Sequence, residues 1–319
     1  MEKPLADITQ EIRALAKKNK FKEIIKFLSD LAYKYEKSPR RLIAVLTMRI
    51  FYNMQINANQ NIVSDFNLIK SPYSEKWMYE SYPDKYGEKK GSMCPFSLYL
   101  LYAYYPYLVG STYTALDRFY TLWNHLEQTH GEHSEANEVF ESRIACVALL
   151  IADIFVSEQR PLDALSILLK VNRQHGINNH AVSAMTAVLY SMIGDNHNSS
   201  KYMGKAIEEE TPFKDYYRAI QCMLVGDFEN ARDHLTTCKN CCEEQETSTA
   251  VSSYESMIIN NIAVSLFYLN HTVAAKVTVE GCSNVYKSAK LFKGVVWNST
   301  MLKELVVDID SSFLEGAEA

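Results

Sequence analysis

The stretch IAVSLFYLNHTVAAKVTVEGC, Ile262–Cys282, holds two alanines, Ala263 and Ala275, twelve residues apart among much larger neighbours. Asn270 follows the first alanine by seven residues and Val279 by sixteen. The same frame recurs as Ala152, Gln159, Ala164 and Leu168, then as Ala187, Gly194, Ser199 and Met203, and again as Ala219, Gly226, Ala231 and Leu235. A fifth copy places Ala103, Gly110, Ala115 and Phe119 in register. Small residues in the middle of one helix and in the first turns of the next let two helices approach to about 8–10 Å. A Gly or Asn between them takes the left-handed turn. Five copies in one frame therefore predict consecutive helix hairpins.

These hairpins resemble the tetratricopeptide repeat, whose pattern wants small residues at those two places, Gly at the turn and an apolar or aromatic residue late in the second helix. The expected fold is all-α, an α-solenoid of tetratricopeptide-type hairpins. From Ala152 to Ala187 is 35 residues and from Ala187 to Ala219 is 32, while the next interval, 44, contains an insertion. Residues 1–70 read as N-terminal solenoid helices without clear repeat signatures, and 71–92 as a polar, aromatic-rich connection. Residues 93–285 read as repeats with insertions near 127–142 and 240–255, and 286–319 as a capping helix and tail. Ser38-Pro39, Arg160-Pro161 and Thr211-Pro212 each put proline where a first helical residue belongs, two of them after a capping hydroxyl.

A chain of 319 residues with 47% hydrophobic positions can bury a substantial core. Its net charge of −5 gives no global field that favours nucleic acid. The opening residues lack an apolar signal segment and no 18 apolar residues run together, so the expectation is a soluble, non-secreted chain without a direct membrane span. Seven cysteines, an odd number lying mostly in helix-like stretches, then read as reduced thiols. The sequons at Asn198, Asn270 and Asn298 are expected to carry no glycan.

Chemistry-bearing patterns are weak. His125, His130 and His133, with spacings of five and three, lie on no single helix face as an i, i+4 pair of metal ligands would. Cys238, Cys241 and Cys242 imitate half of a zinc site, but no second pair accompanies them and Cys238 falls on a repeat packing position. VGSTYTAL around Gly110 lacks the second Gly and the Lys of a phosphate loop. No catalytic residue, cofactor or metal is expected, and the chain is read as no enzyme. The basic run Arg13, Lys17, Lys18, Lys20, Lys22 and Lys26 reads as a solvated helix face. Tyr73, Trp77, Tyr79, Tyr82 and Tyr86 leave two alternatives: they anchor a partner, or they fold back to seal the solenoid.

Residues 79–122, YESYPDKYGEKKGSMCPFSLYLLYAYYPYLVGSTYTALDRFYTL, resemble the segment that opens the repeat domain of the tetratricopeptide subunit, subunit twelve, of the trafficking protein particle (TRAPP) complex. The resemblance rests on Tyr82, Pro83, Gly91, Ser92, Met93, Pro95, Phe96, Ser97, Leu108, Gly110, Leu116, Asp117 and Arg118. It continues in Ile193-Gly194-Asp195, Asn260-Asn261-Ile262-Ala263-Val264, Leu269, and Phe292, Trp297-Asn298-Ser299-Thr300-Met301 and Glu304-Leu305. It covers about residues 79–310. Departures are Phe119 for Leu, Asn270 for Gly, Lys89-Lys90 as the basic pair and no long polar N-terminal extension. The resemblance implies an adaptor subunit of a tether and guanine-nucleotide exchange complex for a Rab1-type GTPase, in endoplasmic reticulum to Golgi transport and autophagy. It implies the large subunits eight and eleven and subunit thirteen as partners. The implied location is cytoplasmic, peripheral at endoplasmic reticulum exit sites, the intermediate compartment and the Golgi. The alternative function is a peptide-clamping co-chaperone or another tetratricopeptide scaffold, for which the first helices offer Asn260, Asn261, Arg218 and Arg143.

Overall fold

The computed structural model describes residues 5–18, 20–132, 137–175, 179–208, 213–244 and 249–285, with 298, 301 and 302. Among them the chain is helical: α1 Leu5–Lys17, α2 Phe21–Lys34, α3 Pro39–Gln55, α4 Asn59–Ile69, α5 Pro83–Tyr86, α6 Phe96–Leu108, α7 Thr112–Glu132 and α8 Asn137–Ser157. There follow α9 Pro161–His175, α10 His180–Met192, α11 Asn196–Glu208, α12 Lys214–Leu224, α13 Phe228–Glu244, α14 Thr249–Tyr268 and α15 Thr272–Val285. The chain divides into two compact units, one of Met1–Leu15 and Lys20–Met185, the other of Ala16–Asn19 and Thr186–Ala319. Within the first, α2 packs on α3, α3 on α4, α6 on α7, α7 on α8 and α8 on α9; within the second, α11 to α15 pack in chain order. Each unit is a run of helix hairpins, the α-solenoid class that the alanine frame predicts.

The frame has a backbone cause. At Gly110, Gly194 and Gly226 the chain turns with φ of 84°, 85° and 81°, and Gln159 and Asn270 adopt 59° and 63°. In each turn the N–H one residue later bonds back to the carbonyl three residues after the frame's first position: Ser111 to Pro106, Arg160 to Phe155, Asp195 to Tyr190, Asp227 to Cys222 and His271 to Leu266, at 2.8–2.9 Å. That is a Schellman closure, which satisfies the last carbonyls of the first helix. The same turn residue's carbonyl then starts the second helix, accepting from Ala115, Ala164, Ser199, Ala231 and Ala275. The frame's two small positions are all buried, at 5% exposure or less. Phe119, Leu168, Met203, Leu235 and Val279 are buried as well.

Two more hairpins obey this frame with large residues in the small positions. Lys20 N–H bonds to Leu15 O at 3.1 Å and Ala58 N–H to Asn53 O at 3.0 Å, while Ile24 and Ile62 start the second helices. Ile12 and Ile24, and Ile50 and Ile62, are thus the equivalent buried pairs. Asn57, with φ of 55°, is the turn residue of the second. The N-terminal 70 residues thus close two hairpins of the same frame without the small residues that mark it in sequence. The two expected insertions overlap lengthened helices: α7 and α8 reach to Glu132 and back to Asn137, α13 and α14 to Glu244 and back to Thr249. Nearly all of the expected capping helix lies outside the described residues, though Leu302 is buried beside Ile259, Ala263 and Val279.

Proline starts α3 and α9 as expected, but Ser38 makes no side-chain cap; Thr211-Pro212 lies outside the described residues. Asp195 and Asp227 supply the capping instead, accepting from Asn198 N–H and Asn230 N–H at 3.0 and 3.2 Å. The Asn198 hydrogen bonds hold the Asp195 carboxyl below its usual range. Cys238 is buried against Ala219, Leu235 and Ile258, as its frame position requires, and Cys94, Cys146, Cys222, Cys238 and Cys241 form no disulfide.

Two polar devices lock the first unit. Arg49 of α3 grips Asp65 of α4 through both carboxylate oxygens and reaches Ser29 of α2 at 3.3 Å, so one guanidinium ties three helices. Burial pushes the Asp65 carboxyl up even though Arg49 opposes it, as expected where desolvation competes with pairing. The second device repairs a proline. Pro106 sits inside α6 and has no N–H for the carbonyl of Tyr102, four residues back. Arg118 of α7 fills that vacancy at 2.9 Å and lays its guanidinium 3.9 Å from the centre of the Tyr102 ring.

Candidate functional site

The connection between α4 and α6 is a folded element. Two 3₁₀ turns, Glu75–Trp77 and Tyr79–Ser81, lead into α5. The chain then doubles back, so that Met78 and Ser92 form an antiparallel bridge: Tyr79 N–H donates to Gly91 O at 3.0 Å and Met93 N–H to Trp77 O at 2.8 Å. Glu80 accepts from Gly91 N–H and Ser81 Oγ donates to Glu75 O, which closes the loop on itself.

Of the five aromatics for which docking and sealing were the alternatives, Trp77 takes the sealing role. Its side chain is 1% exposed and its Nε1 donates to Ile69 O at the end of α4 at 3.0 Å. A fully buried indole has no surface to offer, so the docking expectation is corrected for this residue. Tyr73 is half-buried in a ring cluster with Tyr99 of α6 and His125 of α7, at centroid distances of 5.0 and 5.1 Å. His125 is thereby engaged with aromatic neighbours; the side chains of His130 and His133 lie outside the described ones, and no metal cluster exists among the described residues. Tyr79, Tyr82 and Tyr86 stay half-buried and pack edge to face, Tyr86 against both others. Each keeps part of its ring exposed, while the Tyr86 hydroxyl also accepts from Arg40 N–H of α3 at 3.4 Å.

Between the connection and the α6–α8 helices lies a cleft of about 970 Å³, lined among others by Glu75, Lys90, Tyr99, His125 and Arg143. Cys94 and Tyr99, both buried, also line it. Burial pushes the Cys94 thiol up to about 11 and the Tyr99 phenol to about 12, so neither ionises near neutrality. The cleft can hold a polar chain segment, but its wall contains no ionised nucleophile from these two groups. Sequence reasoning missed Tyr99, His125 and Arg143 as neighbours because α6, α7 and α8 meet only through the hairpin packing.

The residues offered for a peptide clamp are engaged elsewhere. Asn260 is 5% exposed and accepts from Asn298 Nδ2 at 2.8 Å, and Asn261 donates to the Tyr216 hydroxyl at 3.3 Å. Arg218 pairs with Asp215 one turn away, and Arg143 covers the Phe96 ring at 5.3 Å.

Fold and surfaces together define a protein of the tetratricopeptide-type α-solenoid class. Among solved structures the chain is similar to one in the crystal structure of the APC/C hetero-tetramer Cut9-Hcn1, with a TM-score of 0.46 and 13% identity; 87% of this chain and 52% of that chain are covered, about half of its length. Another similar structure is yeast Tom70, with a TM-score of 0.34 and 11% identity over 96% of this chain and 89% of that one. No family model and no curated protein matches the sequence. The class assignment stands on the seven hairpins that close among the described residues.

Proposed function

We propose that the chain is a non-catalytic scaffold subunit, and more specifically the tetratricopeptide adaptor of a TRAPP-type tether that serves a Rab1-type GTPase. One observation carries the reading. The segment with the densest resemblance, residues 79–122, is a linked block: Ser92 of the bridge accepts from the Tyr99 hydroxyl of α6 at 2.9 Å, and Arg118 of α7 donates to Tyr102 O of the same helix. Its matched residues are thus placed where the fold uses them, which supports the resemblance as more than shared composition. In this role the chain joins large subunits eight and eleven and subunit thirteen, and works peripherally at endoplasmic reticulum exit sites, the intermediate compartment and the Golgi. No nucleic acid or membrane insertion is part of it, and among the described residues no helix is long and apolar enough to cross a membrane. Native purification from source cells tests it. Co-elution in a large assembly containing those subunits is the expected result, and a free monomer that captures C-terminal peptides rejects it in favour of the clamp.

A further inference from the structure

Three of the eight prolines follow a hydroxyl residue, at Ser38-Pro39, Ser71-Pro72 and Thr211-Pro212. Ser38 is distinguished twice. In sequence it reads Ser38-Pro39-Arg40-Arg41, a hydroxyl before proline with cations at the next two places. In structure it is half-buried, its hydroxyl caps nothing, and its backbone stands outside the helix at φ −120° and ψ 85°. Ser71 shares neither property: its hydroxyl accepts from Tyr73 N–H at 3.2 Å, and no cation follows Pro72 until Lys76. Thr211 is followed by Lys214 but lies outside the described residues.

The start of α3 runs against its own charge. Anions and a capping side chain stabilise a helix start, and cations disfavour it. Here the first turn holds no acid, Arg40 and Arg41 stand in it, and Lys85 of α5 donates from Nζ to Lys37 O at 2.7 Å, one residue before the serine. The Tyr86 hydroxyl serves this end at a long 3.4 Å from Arg40 N–H. A turn so poorly closed opens at low cost. A kinase requires that opening, because Pro39 is buried when the turn is closed.

We propose that Ser38 is a phosphorylation site for a proline-directed kinase that reads basic residues after the proline, and that the phosphate then caps α3. In the transfer Ser38 Oγ bonds to the γ-phosphorus of Mg-ATP, the bond from that phosphorus to the β,γ-bridging oxygen breaks, ADP leaves and the hydroxyl proton passes to the kinase's general base. The product carries a charge of about −1.5 to −2. At the N-cap position it accepts from the Arg40 and Arg41 N–H groups and draws the Lys85 ammonium to itself. It thereby takes Arg40 N–H from the Tyr86 hydroxyl and unties that ring from α3. The sequence around Ser38 names the class of kinase, and the missing cap gives the phosphate its place. The inference holds whichever assembly the chain joins.

The test incubates the full chain with Mg-ATP and a recombinant kinase of the cyclin-dependent class, maps the phosphate by mass spectrometry and follows amide hydrogen exchange. Phosphate should appear on Ser38 of the folded chain, at a rate that Ser71→Ala leaves unchanged. Exchange over residues 39–42 should then slow by about fivefold or more. Arg41→Gln should slow the transfer about tenfold, while Arg41→Lys keeps it within about threefold of the parent. Because the Arg41 guanidinium lies 5.3 Å from the centre of the Tyr35 ring, melting curves accompany both variants. Should the glutamine variant unfold, the mapping and exchange on the parent chain decide. Phosphate on Ser71 or Thr211 with Ser38 bare, transfer to Ser38 only in heat-unfolded chain, or exchange over 39–42 that does not slow overturns the proposal. A folded Arg41→Gln chain modified as fast as the parent overturns it too.

Discussion

Arg118 shows how a single side chain becomes obligatory through a defect elsewhere. Pro106 leaves the Tyr102 carbonyl without its helical donor, and a buried acceptor without a partner costs about 1–3 kcal/mol. Arg118→Ala should therefore destabilise the chain by roughly that amount, and by clearly less when Pro106→Ala has restored the N–H. A double-mutant cycle of urea melts measures the coupling, and additive losses would show that Arg118 acts only by packing. Trp77 makes a sharper case. Trp77→Ala should cost about 3–5 kcal/mol as a cavity opens under the connection, while Tyr79→Ala, at a half-buried site, should cost under about 1.5 kcal/mol. Equal melting temperatures for the two variants would contradict the burial described above. Cys94 and Tyr99 set an alkaline limit. Because its folded value is raised, the Cys94 contribution to stability is full below the ordinary thiol value of 9.0 and is lost as pH rises through about 11, and that of Tyr99 is full below 10.0 and lost through about 12. Thiol titration at neutral pH should thus label exposed Cys241 first and reach Cys94 only on alkaline or denaturant unfolding.

At the scale of the helix hairpin, the small residues were legible because two alanines at a fixed distance are visible in one dimension. Ile12 with Ile24, and Ile50 with Ile62, satisfy the same geometry with larger side chains, and a search for smallness passes over them. The backbone closure is the invariant, and its sequence mark was the Asn at position 57 in the left-handed turn. Gln159 occupies that conformation without the freedom of glycine, so Gln159→Gly should gain up to about 1 kcal/mol. A loss on calorimetry would mean that the glutamine side chain contributes more than its backbone strain removes. Ala219→Leu and Ala231→Leu, at fully buried crossings, should each lose about 1–3 kcal/mol through overpacking. Glu229→Leu, exposed in the first turn of α13, serves as the control. The connection was the least legible element: its bridge joins Met78 to Ser92 through main-chain groups, and no periodicity in a tyrosine-rich polar stretch announces which ring turns inward.

For the whole molecule, the order and type of elements followed from apolar spacing, whereas the charged surfaces did not. Lys37 and Lys85 become neighbours only because the connection folds back on the α2–α3 turn, and Arg49 meets Asp65 only because α3 and α4 close as a hairpin. Pairings of that kind depend on three-dimensional return of the chain, which a one-dimensional charge count cannot carry. The seven hairpins also differ in one respect that bears on how such a chain tolerates change in length. From each frame's first position to the next, Ile12, Ile50, Ala103, Ala152, Ala187, Ala219 and Ala263, the interval runs from 32 to 53 residues, while the distance across each turn never varies. Spacing thus varies between hairpins and stays fixed inside each one. A flexible Gly-Ser tag spliced after Glu244 should therefore leave the melting temperature within a few degrees, since lengthening a link costs only fractions of a kcal/mol. A single residue added after Gly226 displaces the Asp227 closure and rotates α13 by about 100° against α12. Soluble yield of the two variants, side by side, would map where this architecture accepts inserted sequence and where it does not.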